Sequence, residues 1–343
     1  MNANCFNRFV FASPRRVALP IAVYPGLALT RARVGDVVND AQAQFEAQAA
    51  LHERYRTPFV LSAMDLSVEA EAFGCTLHVS ETEIPSVTGR LVTSLEQAQK
   101  LAVPQPGDRR SGVYLETVRR LRELPDRPLV FGGSIGPFSL AARLAGVSEA
   151  MELTVTEPDL VHTLLEKSTA FLTAYARAFR RAGADGLIMA EPAAGLLSPR
   201  GLAAFSSAYI KQVADAVDDG HFALILHNCA AKLVHLPAIL ATGLKTFHFG
   251  VPMDLVAALG KVAPDVVVCG NLDPAAVFCQ LPPAEVAARA TGLLAATAAY
   301  RNHVLSSGCD VPFGAPLENL DAFYAAVRGG VSTGVQPVTE LKP

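Results

Sequence analysis

The sequence has few charged residues, no excess of basic ones and no long apolar run. Its 29 Lys and Arg residues nearly balance its 32 Asp and Glu residues, and the formal net charge is -3. Nucleic-acid binding normally needs a basic field, so we expect no nucleic-acid partner. The longest stretch without an acidic or basic side chain, residues 128–142, contains three glycines and two prolines. A membrane span needs about 20 apolar residues, so no membrane association is expected.

Several recognisable signals are also missing. The first residues lack a basic stretch followed by an apolar core, so we expect no export and a cytoplasmic protein. No GxGxxG, Walker, HExxH or CxxC pattern occurs, which gives no support to nucleotide binding or to the HExxH class of metalloproteases. The six cysteines are too few and too scattered for a disulfide framework. We expect free thiols, some of them candidate metal ligands, at Cys5, Cys75, Cys229, Cys269, Cys279 and Cys309.

Short β-rich runs alternate with helical patterns through most of the chain, which is typical of repeated βα units around a parallel sheet. The clearest helix begins at Pro158 and ends before Gly183. Eight such runs predict an α/β protein with a (β/α)8 TIM barrel, and an open doubly wound sheet is the alternative. We predict one domain over residues 1–343, with residues 1–55 as an N-terminal extension packed on the barrel. The predicted strands are residues 59–64, 77–79, 129–133, 186–190, 222–227, 246–250, 266–270 and 303–307.

Candidate ligands follow two of the predicted strands. TIM-barrel chemistry lies at the carboxyl ends of the strands, where His227, Cys229 and, far downstream, Cys309 occur. One imidazole and two thiols suit zinc, and three protein ligands leave a fourth position open for substrate. The alternative is that His227 is a hydrogen-bonded core histidine and that both cysteines are small buried hydrophobic residues.

Other polar residues and glycines at strand ends are weaker candidates. Glu191 is a candidate fourth ligand or proton acceptor, and a solvated carboxylate is the alternative. Gly133 could let the backbone approach a ligand closely, while Asn271 and Asp273 are candidate pocket residues. The acidic residues of the segment MDLSVEAEAFG form a cluster after the first strand, for which a solvated helix start is the alternative. His248, inside the run TFHFG, could point into the barrel.

Six segments together carry a family resemblance: MDLSVEAEAFGC, GGSIGPFSLAARLAG, ADGLIMAEPAAGLLSP, HNC, GNLDP and SSGCDVPFGAPLENLDA. Over residues 15–330 the chain resembles the uroporphyrinogen decarboxylase superfamily. Within it, the chain most resembles the methylcobamide:coenzyme M methyltransferase branch, whose signature is His-x-Cys followed far downstream by Cys. The resemblance implies a TIM barrel, zinc held by His227, Cys229 and Cys309, a methylcorrinoid donor on a separate corrinoid protein, and a homodimer.

The expected activity is methyl transfer from the corrinoid to a zinc-activated thiol such as coenzyme M, with another thiol or a pterin left open as acceptor. Zinc would deprotonate the thiol, and the two protein thiolates would keep its sulfur nucleophilic. One alternative is metal-free decarboxylation of a tetrapyrrole-like polycarboxylate. The decarboxylases carry an arginine-rich RQAGRY-like segment, in whose place YPGLALTRARVGD stands here. A second alternative is a non-catalytic tetrapyrrole- or metal-binding barrel.

Overall fold

The computed structural model describes residues 3–329 and is built around a curled sheet of seven parallel strands. The strand order is β1-β4-β5-β6-β7-β8-β9, and a separate antiparallel pair is formed by β2 and β3. The strands are β1 Phe59–Leu61, β2 Thr76–His78, β3 Ser86–Thr88, β4 Leu129–Ile135, β5 Gly186–Ala190, β6 Ala223–Asn228, β7 Thr246–Phe249, β8 Val267–Leu272 and β9 His303–Ser307. The predicted α/β class with a barrel-like parallel sheet is confirmed.

Helices cover the outer face of the sheet, which explains why strands such as β5 and β6 are buried along their whole length. The predicted long helix runs from Pro158 to Arg181, and its apolar side is buried. The helices are α1 Cys5–Ala12, α2 Val34–Asn39, α3 Ala41–Tyr55, α4 Val68–Ala72, α5 Leu95–Lys100, α6 Ser111–Arg122, α7 Pro137–Ala145, α8 Val147–Thr156, α9 Pro158–Arg181, α10 Pro199–Leu202, α11 Ala208–Val217, α12 Leu236–Leu240, α13 Leu255–Leu259, α14 Pro283–Ala296 and α15 Leu317–Gly329.

One predicted barrel strand is wrong. Residues 77–79 do not join the main sheet, because Leu77 pairs with Val87 in the antiparallel ribbon of β2 and β3. The side chains of this ribbon are exposed or only half-buried, so it lacks the apolar burial that would hold a strand between two layers of the fold. The sheet of residues 3–329 therefore has seven strands rather than eight.

An N-terminal segment lies beside the last strand instead. Ala18 forms a parallel bridge with Leu305 of β9. The amide of Leu19 donates to the carbonyl of Leu305 at 2.9 Å, and the amide of Leu305 donates to the carbonyl of Val17 at 3.1 Å. The segment is extended next to β9 over this short stretch.

All seven strands of the sheet are parallel, so their carboxyl ends lie at one end of the barrel. The register places Ala190 beside His227, His227 beside His248, and Asn271 beside Ser306. Among residues 3–329, no helix combines the length and apolar character needed to cross a membrane.

Candidate metal centre

His227, Cys229 and Cys309 come together at the carboxyl end of the barrel. His227 lies on β6, Cys229 directly follows that strand, and Cys309 lies two residues beyond the end of β9. One potential ligand atom from each residue lies within 4.8 Å of the other two. In the described part of the chain, this is the one group of three or more His, Cys, Asp or Glu side chains with metal-ligand spacing.

A chain of hydrogen bonds that begins at Leu19 and ends at His227 determines which ring nitrogen of His227 is unprotonated. The carbonyl of Leu19 can only accept, so the Ser306 hydroxyl donates to it. The Ser306 oxygen then accepts from Nε2 of His248 at 2.7 Å. Burial and the neighbouring His227 lower the pKa of His248 well below its ordinary value, so this ring is neutral.

A neutral His248 that donates from Nε2 has an unprotonated Nδ1. That atom lies 2.8 Å from Nδ1 of His227, which must therefore carry the proton. Nε2 of His227 is left with a lone pair. This buried atom has no hydrogen-bond partner within the described residues. An unprotonated imidazole nitrogen beside two thiols is the donor set that zinc accepts, and the residues present fit that ion.

The two thiols are coupled to each other. A hydrogen bond between them lowers the pKa of Cys229 to about 7 and, together with burial, raises the pKa of Cys309 to about 12. The hydrogen bond thus favours ionisation of Cys229 over ionisation of Cys309. The other four cysteines lie outside the group. Cys269 is fully buried on β8, and its pKa is raised by burial.

Gly250 and Gly195 let the chain pack tightly around the segment that carries Cys229. A Cβ on Gly250 would lie 2.1 Å from the carbonyl oxygen of Cys229, and one on Gly195 would lie 2.6 Å from Cβ of Ala230. Real side chains cannot approach so closely. Both glycines therefore allow the loop after β6 to sit against the loops after β5 and β7.

Glu191 is not part of the metal group. Its fully buried carboxylate accepts hydrogen bonds from the amides of Phe138 and Ser139, both at 2.8 Å, and from the hydroxyls of Ser139 and Ser206. Phe138 and Ser139 lie in the first turn of α7, where a carboxylate is favoured. The alternative of a solvated carboxylate is wrong. These bonds disfavour the predicted role as ligand or proton acceptor, which stays a prediction.

The other candidates also make structural contacts. The Asn271 amide donates to the carbonyls of Gly250 and Met253, and Asp273 accepts from the amides of Ala275 and Ala276. The amide of Gly133 donates to the Ser62 hydroxyl, and a Cβ there would lie 3.1 Å from the carbonyl of Ala63. Their binding of a ligand stays a prediction.

Two residues of the acidic cluster after β1, Asp65 and Glu69, are buried rather than solvated. Asp65 accepts from Arg110 and from the Tyr114 hydroxyl, and Glu71 pairs with Arg110 at 2.7 Å. Burial raises the pKa of Glu69 to about 8, and its Oε2 atom has no partner among the described residues. The alternative of a solvated helix start is therefore wrong for Asp65 and Glu69.

Two contributors to the site were not identified from the sequence. Ser306 completes the hydrogen-bond chain behind the histidines, and Asp310 follows Cys309 with a buried Oδ1 atom that lacks a partner within residues 3–329. Burial and the neighbouring Cys309 raise the pKa of Asp310. Aligning the ends of the predicted strands could have paired His227 with His248, but the orientation of Asp310 leaves no signal in the sequence.

Known proteins resemble this chain over most of its length. A solved methyltransferase from Methanosarcina mazei superimposes with a TM-score of 0.84 at 23% identity, over 93% of this chain and 96% of that chain. Methylcobamide:CoM methyltransferase MtbA of Methanosarcina mazei is 31% identical over 297 residues, which cover 84% of this chain and 86% of the relative.

Decarboxylases are also related. The uroporphyrinogen decarboxylase of Shigella dysenteriae is 26% identical over 317 residues, which cover 89% of this chain and 88% of the relative. Both relatives are enzymes by their names. The model of the family described as uroporphyrinogen decarboxylase (URO-D) matches residues 25–330, so the chain belongs to the uroporphyrinogen decarboxylase family.

Proposed function

We propose that this protein is a zinc-dependent methyltransferase that moves a methyl group from a corrinoid on a separate protein to a small thiol. The observation that carries the proposal is the buried Nε2 atom of His227, which lies beside the Cys229 and Cys309 thiols and has no hydrogen-bond partner among residues 3–329. The 31% identity to a methylcobamide:CoM methyltransferase supports the same activity. The metal-free decarboxylase alternative gives these three residues no common task.

His227, Cys229 and Cys309 would hold the zinc. The zinc would act as a Lewis acid that keeps an incoming thiol deprotonated. The hydrogen bonds of His248 and Ser306 favour the tautomer of His227 that is protonated on Nδ1 and has a lone pair on Nε2. The two protein thiolates would offset the charge of the dication and so keep the acceptor sulfur a strong nucleophile. The methyl group would pass from cobalt to this sulfur, the electron pair of the broken bond would stay on cobalt, and the thiol proton would go to solvent.

Exposed apolar side chains around the same end of the barrel support docking of a corrinoid protein there. They lie on the connections that follow β5, β6, β7 and β9, at Leu196, Val234, Val251 and Phe313, with 49–64% of each residue exposed. Apolar residues gathered near a functional site favour a protein partner over bulk solvent. A partner seated on them would cover the candidate metal centre.

Metal content and methyl transfer together test the proposal. Elemental mass spectrometry after zinc loading and desalting should find about one zinc per chain in the unmodified protein and almost none in a Cys229→Ser, Cys309→Ser double variant. Cys279→Ser, a half-buried cysteine outside the group, is the matched control and should retain zinc. Loss of the methyl group from methylcobalamin in the presence of a thiol should follow zinc content. Equal zinc in all three proteins, or transfer without zinc, would contradict the proposal.

A further inference from the structure

A cavity of about 500 Å³ lies at the end of the barrel opposite the candidate metal centre. Its wall includes Thr57 and Pro58, which precede β1, and Val17, which lies beside β9. The last turns of α3 and α15 also contribute to the wall. The candidate metal ligands lie at the carboxyl ends of β6 and β9, so this cavity is separate from them. Its volume is in the range of small-molecule sites.

Arginine is the one charged residue type in the described lining of this cavity. The lining contains Arg15, Arg16, Arg54, Arg56 and Arg328. Arg54 forms an ion pair with Asp321 at 2.6 Å, and the other four form no ion pair among residues 3–329. The whole chain has a formal net charge of -3, so this excess of positive charge is local. Gathered like charges raise the free energy of the folded protein, and a bound anion would lower it.

Helix ends account for only part of this positive charge. Arg54 and Arg328 lie in the last turns of α3 and α15, where a cation offsets the negative end of the helix dipole. The guanidinium of Arg16 donates to carbonyls at the end of α14. Each helix end carries about half a negative charge, which is less than one arginine supplies. Arg15 is exposed, and its side chain forms no hydrogen bond or ion pair with the part of the chain that the structure describes.

The remaining wall of the cavity is largely apolar. Tyr55 and Tyr324 stack with their ring centroids 4.4 Å apart. Phe9, Ala18 and Val327 form other apolar parts of the wall. An apolar ligand body would pack against these side chains, while the planar guanidinium groups match the oxygen atoms of a phosphate or carboxylate. Because several guanidinium groups lack a carboxylate partner, a dianion suits them better than a monoanion.

We infer that this cavity binds a small organic phosphate. The phosphate group lies among the arginines of the lining, and the apolar body packs against the stacked rings of Tyr55 and Tyr324. Charge complementarity selects the anion, the apolar wall selects a hydrocarbon body, and the volume limits the size of the ligand. The inference goes beyond the proposed function and does not depend on it, because the cavity lies at the other end of the barrel from the candidate metal centre.

Three compounds that share a naphthalene ring test the inference. 1-Naphthyl phosphate, 1-naphthoate and 1-naphthol differ in the charge of the ring substituent, and inorganic phosphate lacks the ring. Their dissociation constants for the full chain can be measured by isothermal titration at about pH 7.5, where a phosphate monoester carries nearly two charges. We expect one site per chain. 1-Naphthyl phosphate should bind about tenfold more tightly than 1-naphthol or inorganic phosphate, with 1-naphthoate between them.

Substitutions in the lining identify where the phosphate binds. Arg15→Gln should weaken binding of 1-naphthyl phosphate about threefold and Arg15→Glu about tenfold, because the second change replaces attraction by repulsion. Both should leave the thermal midpoint unchanged, since the Arg15 side chain contacts no described residue through a hydrogen bond or ion pair. Arg56→Gln, at another exposed position of the lining, gives an independent second variant. Arg177→Glu, at an exposed position of α9 outside the lining, changes the net charge equally and should bind as wild type does.

A chelator distinguishes this cavity from the candidate metal centre, because a phosphate can also bind to zinc. Binding of 1-naphthyl phosphate should be the same after chelator treatment and in the Cys229→Ser, Cys309→Ser variant. Binding that disappears with the metal, equal affinity for 1-naphthyl phosphate and 1-naphthol, or wild-type affinity in all the lining variants would overturn the inference. Sedimentation with phosphatidylglycerol vesicles, without binding of the soluble phosphate, would indicate a membrane surface and would overturn it as well.

Discussion

Burial controls the ionisation of Glu69, one of the acidic residues after β1. Its pKa is raised to about 8, mainly because the carboxylate is shielded from water. Its Oε1 atom accepts from the amide of Ile135 at 3.0 Å, and its Oε2 atom has no partner among the described residues. An unfolded glutamate has a pKa of about 4.3. Between these two values the folded protein keeps a proton on Glu69 that the unfolded chain releases.

Because of this difference, we predict that the contribution of Glu69 to the free energy of unfolding falls as the pH rises. The unfolded state binds fewer protons, so Glu69 costs the fold about 1.4 kcal/mol for each pH unit between about pH 4.5 and 8. Glu69→Gln keeps the shape and does not titrate. The free energy of unfolding of this variant, measured by guanidinium titration at several pH values, should rise relative to wild type across that window.

Glu123→Gln, at an exposed position, controls for the loss of a carboxylate and should follow the wild type. A difference between Glu69→Gln and wild type that stays constant with pH would mean that Glu69 is ionised in the folded protein.

The candidate ligands could be predicted from sequence because residue type and strand-end placement suffice to find them. The tautomer of His227 could not, because it depends on three residues from β7, β9 and the N-terminal segment, His248, Ser306 and Leu19. The burial of Glu69 could not either, since acidic residues at a helix start are usually solvated. In both cases the sequence does not show which distant residues contact the side chain in the folded protein.

At the scale of elements, Glu191 connects the end of β5 to the beginning of α7. Gly136 makes this possible, because a Cβ there would lie 2.3 Å from Cγ of Glu191. The carboxylate satisfies two amides of the first helical turn, which have no partner within a helix. Ser139 extends the connection, since its hydroxyl accepts from the amide of Ala193 beyond β5.

We predict that Glu191→Gln weakens the fold without removing zinc. The side-chain amide of the new glutamine would point its NH2 group towards at least one backbone N–H group, so one hydrogen bond would be lost. This loss should lower the free energy of unfolding by about 2–3 kcal/mol. Glu157→Gln, an exposed glutamate just before α9 that makes no side-chain cap, should change it by less than about 0.5 kcal/mol. Zinc lost from Glu191→Gln at undiminished stability would instead identify Glu191 as a ligand.

Elements buried on both faces were predictable, and those at the margin of the sheet were not. Strands β4 to β9 are short apolar runs, and such runs have few other ways to bury their side chains. Residues 77–79 contain a similar run but are too exposed to enter the sheet. The segment beside β9 was missed because Pro20 and a single bridge at Ala18 give little strand signal.

At the scale of the whole molecule, the candidate ligands connect distant parts of the chain. Cys229 follows β6 and Cys309 follows β9, with β7 and β8 between these strands in the sheet. The N-terminal segment lies against β9 and reaches the histidine pair through Leu19 and Ser306. An ion held by the three ligands would therefore link the ends of β6 and β9 across the two strands that lie between them.

Such an ion should stabilise the whole fold, because the unfolded chain does not bring the ligands together. Free zinc at about 100 times its dissociation constant adds about 2.7 kcal/mol to the free energy of unfolding. For a chain of this length that corresponds to a rise of several degrees in the thermal midpoint. Calorimetry should find this rise in the unmodified protein, reversed by a chelator, and no chelator effect in the Cys229→Ser, Cys309→Ser variant. A chelator effect of equal size in both proteins would place the stabilising metal elsewhere, and the three residues would then be ordinary parts of the barrel interior.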